Sequence, residues 1–317
     1  MHIPVLQREA MEWLAIRPQG VYVDATLGAG GHARAILERL TTGRLLGIDR
    51  DPMAVKLAQE NLRAYQDRVL LTQENFARLF VLLRQLGWGE VDGILADLGL
   101  SQMQIDAPER GFSLKAEGPL DMRMDPSERL TADEIVNHAS EHELARLIYQ
   151  LGEERRSRRI ARAIVRARPI RNTVQLADRV AACLGGRRGE SRSASRRAGS
   201  SRWAASRTIG KRIHPATRTF QALRMAVNRE LECLEEFLDN APQCLVPGGR
   251  LVIISFHSLE DRMVKQYFQQ WNREGRMRNL TRHVLRPSLN ETSANPRSRS
   301  ARLRAAERPV GGAEPFE

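Results

Sequence analysis

Between residues 21 and 100, short apolar runs alternate with segments of helical spacing, and this alternation limits what the chain can fold into. VYVDA (21–25), RLLGID (44–49), RVLLTQ (68–73) and VDGILAD (91–97) read as buried strands. The segments between them, 33–40, 52–65 and 76–86, read as helices, the second opened by an Asp51-Pro52 start signal. Strands alternating with helices predict a parallel, doubly wound α/β sheet.

The pattern stops after residue 101. A Gly/Pro-containing loop runs to about 130. Thr131 with Glu134 and Ser140 with Glu143 then read as capping boxes of two short helices. A basic helix over 153–168 follows, and another starts at Asn172 or Thr173. The Arg/Ser/Gly stretch 187–208 cannot build a core and is expected to be disordered. Phe220, Leu223, Val227, Leu231, Leu234 and Leu238 mark one long amphipathic helix. PGGRLVIISF (247–256) returns to a buried strand, and 282–288 with 300–308 suggest a closing hairpin. The sheet domain is therefore expected to be discontinuous, 1–101 with 216–317, around an inserted, mostly helical, basic domain at 102–215.

Charge points to the partner. The net charge is +12, and residues 151–224 alone hold twenty Arg/Lys against four Asp/Glu. A second run, Arg276 to Arg308, has nine Arg against Glu291 and Glu307. Arginine suits phosphate, so a polyanion, most simply nucleic acid, is expected. Aromatic residues are only 5% of the chain, which gives no sign of a stacking platform for single strands. Cys183, Cys233 and Cys244 fit neither a disulfide framework nor a zinc knuckle. No run reaches the length of a membrane span and no secretory leader is evident, so a reduced, cytoplasmic protein is expected.

The chemistry-bearing residues sit at strand ends. Asp24-Ala-Thr-Leu-Gly28-Ala-Gly30-Gly31-His32 joins the first strand to the first helix, where glycines let backbone approach a ligand. Asp49 ends the second strand, where a carboxylate suits ribose hydroxyls. Asp97 ends the fourth, at the carboxyl edge where ligands of open sheets bind. The glycines alone do not separate a nicotinamide dinucleotide from S-adenosylmethionine. His138, Glu141 and His142 spell a zinc-hydrolase pattern. It requires one continuous helix, and the Ser140 box breaks it.

Several strings together resemble the bacterial 16S ribosomal RNA cytosine-N4 methyltransferase family (RsmH/MraW type). They are DATLGAGGH, GIDRDP, DGILADLGLS, ERGFS, GPLDMRMD, GEER with RIARAIV, HPATRTFQALRMAVN and PGGRLVIISFHSLEDR. The resemblance spans most of 1–308. It implies a class I S-adenosylmethionine-dependent methyltransferase fold, Rossmann-like, with a helical insertion. It implies S-adenosylmethionine as donor, no metal, and as acceptor the exocyclic amine of a decoding-centre cytidine in small-subunit ribosomal RNA, naked or in the assembled subunit. Carried over by position, Gly30, Gly31 and His32 face the donor's methionine end, Asp49 its ribose and Phe76 its adenine, while Asp97 and Gln104 complete the site. Two departures stand out. Residues 187–208 are longer and richer in Arg and Ser than the family's usual connection, and Asp97-Leu98-Gly99 is not the Pro-Pro-aromatic string of many amino methyltransferases.

Asp97 is the candidate catalytic group, and His257 is expected to orient by hydrogen bonding. Ser255 and His257 should face the crevice, with Phe112 and Phe256 as candidates to stack the base. No membrane partner is expected, and the protein would act as monomer or homodimer. Two rival classes remain at this stage. One is an NAD-dependent oxidoreductase. The other is a non-catalytic RNA-binding or ribosome-assembly protein, which explains the charge but not the placed acids.

Overall fold

In the computed structural model, which describes residues 4–185 and 214–311, the carboxyl ends of three neighbouring strands are the organising feature. Strands β1 (Val21–Asp24), β2 (Arg44–Asp49), β3 (Val69–Gln73), β4 (Val91–Asp97), β5 (Leu245–Ser255), β6 (Arg278–Asn279) and β7 (Arg302–Glu307) form one sheet in the order β3-β2-β1-β4-β5-β7-β6. The first five run parallel, and β7 is antiparallel to both β5 and β6. The expected closing hairpin is corrected: β7 inserts between β5 and β6, and the 282–288 segment contributes only a Leu285–Leu303 bridge.

Because side chains alternate along a strand, each face gathers its own apolar layer. One layer joins Leu46, Ile94 and Ile253 to Leu79 and Leu83, to Leu234 and Phe237 of the helix Glu230–Asn240, and to Phe268 and Trp271 of Ser258–Arg273. The other joins Tyr22, Leu45, Leu95 and Ile254 to Ala33, Ile36 and Leu37 of Gly31–Leu37, and to Ala10, Met11 and Leu14 of Gln7–Leu14.

The described residues divide into two units. The first contains everything through Gln104, then Met124–Glu128, then Arg229 onward; the second contains Ile105–Arg123 and Arg129–Asn228. In the second unit, both capping boxes form as read, with Thr131 and Ser140 accepting from Glu134 N and Glu143 N. They start separate helices, Ala132–His138 and Glu141–Gly152, so His138 and His142 do not share one helix. Asn172 caps Thr173–Leu184.

The long helix expected over 220–238 is two. Arg229 adopts a left-handed conformation (φ 50°), ending Thr217–Asn228 and starting Glu230–Asn240. Thr217–Asn228 clusters with the second unit because it crosses Glu141–Gly152 at Gly152, where a Cβ would lie 2.7 Å from Arg218 O. The expectation of disorder at 187–208 lies outside the described residues. Among the described residues no helix is long and apolar enough to cross a membrane.

Candidate active site

The turn after β1 is built by glycine. Gly28 (φ 51°) and Gly30 (φ 81°) take left-handed conformations that disfavour a side chain. Gly30 precedes the helix Gly31–Leu37, and its N–H bonds Leu27 O at 2.8 Å. Asp49, at the end of β2, fixes the turn: Gly28 N–H donates to its Oδ2 at 2.8 Å and Asp51 N–H to its Oδ1 at 2.9 Å. Burial pushes the Asp49 carboxyl up to about 6, against the pull of those two N–H donors.

These elements surround a cavity of about 780 Å³ within the first unit. Gly28, Gly30, Gly31, His32, Asp49, Phe76, Asp97 and Gln104 all line it, so the structure brings together every donor-binding candidate read from the sequence. The Phe76 ring is held edge-on to Phe237 with centroids 5.4 Å apart. Gln104 is buried and spans two elements. Its Nε2 donates to Asp51 Oδ2 at 2.8 Å and its Oε1 accepts from Ser101 N at 3.1 Å. Asp51 in turn caps Pro52–Asn61 through Met53 N.

Asp97 stands opposite the glycine turn. Its N–H donates to Thr26 Oγ1 at 2.6 Å, and its Oδ2 lies 3.4 Å from His32 Nε2. Its Oδ1 is buried with no hydrogen-bond partner among the described residues, as are both ring nitrogens of His32. Buried polar atoms without partners beside a cavity leave hydrogen-bonding capacity unused within the fold. The acids of β2 and β4 and the open glycine turn therefore fit a ligand with a diol, a cation and a flat apolar ring.

His257 and Ser255 depart from expectation. His257 is the N-cap of Ser258–Arg273: its Nδ1 accepts from Glu260 N at 3.3 Å, and Nε2 lies 3.1 Å from Glu260 Oε1. Ser255 turns its hydroxyl to Arg302 O at 3.4 Å. Phe256 and Glu260 line the cavity instead, Phe256 against Gly99. Glu230, His257 and Glu260 place ligand-type atoms within 4.8 Å of one another. A ring whose Nδ1 accepts from backbone N–H keeps its proton on Nε2, so the capped geometry opposes metal binding there. Phe112 is buried in the second unit.

The two basic runs behave differently. In the second unit Arg155, Arg158, Arg159 and Arg166 are exposed and enter no ion pair among the described residues. Ile160, Ala161 and Ile164 form the buried side of the helix Ser157–Val165. Arg168 is structural, donating to Val136 O and Ala139 O. The run 276–308 is largely consumed internally: Arg278 pairs with Glu307 at 2.6 Å, Arg304 with Asp261 at 2.8 Å and Arg308 with Glu90 at 2.5 Å. The charge of these three arginines is thus already paired with an acid of the fold.

Over residues 1–309 the sequence matches the MraW methylase family. It is 50% identical over 307 residues to the Ribosomal RNA small subunit methyltransferase H of Solibacter usitatus, covering 97% of this chain and 99% of that one. It is 49% identical over 326 residues to the protein of the same name from Syntrophobacter fumaroxidans, covering 97% and 96%. The protein of that name from a Cyanothece species is 49% identical over 308 residues, covering 97% and 95%.

Proposed function

Because this chain belongs to the MraW methylase family, and its relatives are named as methyltransferases of small-subunit ribosomal RNA, we propose that it methylates the exocyclic N4 amine of a decoding-centre cytidine in 16S ribosomal RNA from S-adenosylmethionine. The observation that carries this reading is the convergence of the Gly28–Gly31 turn, Asp49, Phe76 and Asp97 on one cavity in a chain of that family. The dehydrogenase and non-catalytic readings explain neither the family nor the converging acids together.

The donor supplies a methyl group already activated on a sulfonium, so the protein's task is to position an in-line transfer. Asp49, oriented by two backbone N–H groups, retains lone pairs for a ribose diol. Phe76, braced by Phe237, gives the adenine an apolar wall. Gly30, Gly31 and His32 hold the methionine end. Cytosine's amine is a weak nucleophile because its lone pair delocalises into the ring. The Asp97 carboxylate, whose side chain is partly exposed, accepts one amine N–H and so concentrates density on nitrogen as the methyl arrives, an oriented electrostatic contribution. The base has to leave its stack to reach the cavity. The exposed arginines of Ser157–Val165 and its flanks supply phosphate contacts, in the assembled subunit as well as in free RNA. A cytoplasmic location follows from that substrate.

The test incubates the protein with labelled donor and small subunits lacking the modification, then identifies the labelled nucleoside, with Asp97→Ala alongside. Label in N4-methylated cytidine, lost in a folded Asp97→Ala, is expected. Label in another nucleoside would overturn the acceptor, and near-wild-type turnover by Asp97→Ala would overturn the role of Asp97.

A further inference from the structure

We propose that Phe256 is an acceptor-binding residue: its ring is the surface on which the extruded cytosine stacks, with the exocyclic amine directed toward Asp97. This rests on the reading of the acceptor as a cytidine N4 amine and names the side chain that holds its ring.

The order of the strands sorts the cavity. Along the carboxyl edge, Phe76 follows β3, Asp49 ends β2, the Gly28–Gly31 turn follows β1, Asp97 ends β4 and Phe256 follows β5. The cavity is lined from every one of these positions. Among its described lining residues, Phe76 and Phe256 supply the two benzene rings. They belong to opposite layers of the sheet. Phe76 packs against the layer of Leu46 and Phe237, and Phe256 against that of Leu95 and Ile254. Hydrogen-bonded strands stand about 4.8 Å apart, so β5 lies roughly 19 Å from β3 and roughly 14 Å from β2. An adenosine anchored at Asp49 and Phe76 does not span that gap. The donor's methyl and the acceptor meet past the glycine turn, at β4, and Phe256 stands on the next strand beyond.

Strand register brings Phe256 and Asp97 to one face. Asp97 pairs with Ile254, and Leu98 N–H donates to Ile254 O at 2.8 Å. Phe256 is two residues past that partner and so returns to the same face. With about 3.3 Å per residue along a strand and about 4.8 Å between strands, the two Cα atoms are roughly 8 Å apart. Offset-stacked rings keep their centroids about 4.5–7 Å apart. A pyrimidine over Phe256 therefore presents an edge substituent at the Asp97 carboxylate, whose side chain is partly exposed.

The ring is held before any base arrives. Phe256 N–H donates at 3.0 Å to Oε2 of Glu260, a buried carboxylate that belongs to the capping box of Ser258–Arg273. Gly99, at φ 105°, lies against the ring, where a Cβ would sit 3.4 Å from Cδ2 and 3.9 Å from Cγ. Phe256 is half-buried, packed on the apolar layer and facing the cavity. Apolar ring surface left uncovered in a cavity wall is unfavourable in water, and a flat heteroaromatic partner covers it.

The experiment measures methyl transfer to small subunits lacking the modification by Phe256→Leu, Phe256→Met and Phe256→Tyr. Donor affinity by calorimetry and stability by urea unfolding are measured on the same preparations. The first two variants keep apolar volume and remove the ring; the third keeps the ring. The first two should lower kcat/KM for subunits at least about tenfold, while Phe256→Tyr stays within about threefold of wild type. Donor affinity should be unchanged in all three, and turnover should follow the ring rather than stability. Near-wild-type kcat/KM in Phe256→Leu overturns the proposal. So do equal losses in all three variants, losses ranked by stability, or donor affinity falling in step with turnover. Label from the wild type in a nucleoside other than N4-methylated cytidine would instead overturn the acceptor reading beneath it, and shows before any variant is compared.

Discussion

Asp24 should make the protein less stable at neutral pH than an uncharged isostere would. Its carboxyl is fully buried, and burial pushes it up to about 6 from an unfolded value of 3.8, with His32 pulling it back. An acid raised in the fold binds its proton more tightly there. Stability therefore falls as pH rises from about 4 to about 6, and the full cost stands above that. A shift of about two units corresponds to about 3 kcal/mol at 1.36 kcal/mol per unit. Asp24→Asn removes the titrating group at nearly constant volume. Donor-free Asp24→Asn is expected to match wild type at pH 4 and to exceed it by up to about 3 kcal/mol at pH 7.5, roughly 5 °C in melting midpoint for a chain of this size. Urea and thermal denaturation across pH 4–8 measure this. A variant less stable than wild type at pH 7.5, or a difference independent of pH, would refute the reasoning.

Three more outcomes are expected. Gly30→Val forces a β-branched residue to φ 81° with its Cβ 3.1 Å from Leu62 Cδ1, and calorimetry should show donor binding weakened at least tenfold. His257→Ala should lower stability by about 1 kcal/mol through loss of the helix cap, while His257→Asn restores both stability and turnover; stability restored without turnover would return His257 to the site. Arg304→Met strips the nearer cation from Asp261 and should cost about 3 kcal/mol in urea unfolding while leaving the salt slope of RNA binding unchanged.

What could be read from the sequence was local or periodic. Strands β1, β2 and β4 follow from short continuous apolar runs alternating with helix-spaced segments, and strand ends placed Asp49 and Asp97 on one edge. The Thr131 and Ser140 boxes could be read because both partners lie within four residues. Other features depend on information outside the pattern. Apolar spacing continues from Phe220 to Leu238 straight through the break, since a backbone angle at Arg229 leaves no trace in hydrophobic periodicity. The run 276–308 looked available to phosphate because its acids, Glu90 and Asp261, are remote in sequence. His257 follows a strand like Asp97, but the helix after it claims its ring. The helix Gln7–Leu14 went unread, although Leu6, Ala10 and Leu14 recur at the interval of a helix face. Asp24 held the same strand-end position on β1 as Asp97 on β4, and that symmetry was the available signal for it.

The sheet order also sets a timetable for synthesis. Strand β4 ends at Asp97 and its partner β5 begins at Leu245, 148 residues later. At roughly 5–20 residues per second, a ribosome takes about 7–30 s to make the intervening chain. Throughout that interval β4 presents an apolar strand with one unpaired edge, a template for pairing with another nascent chain. The second unit, built from helices close in sequence, completes its contacts within the same window. The waiting edge closes only when β5 (Leu245–Ser255) reaches it, and β7 then adds to the far side of β5.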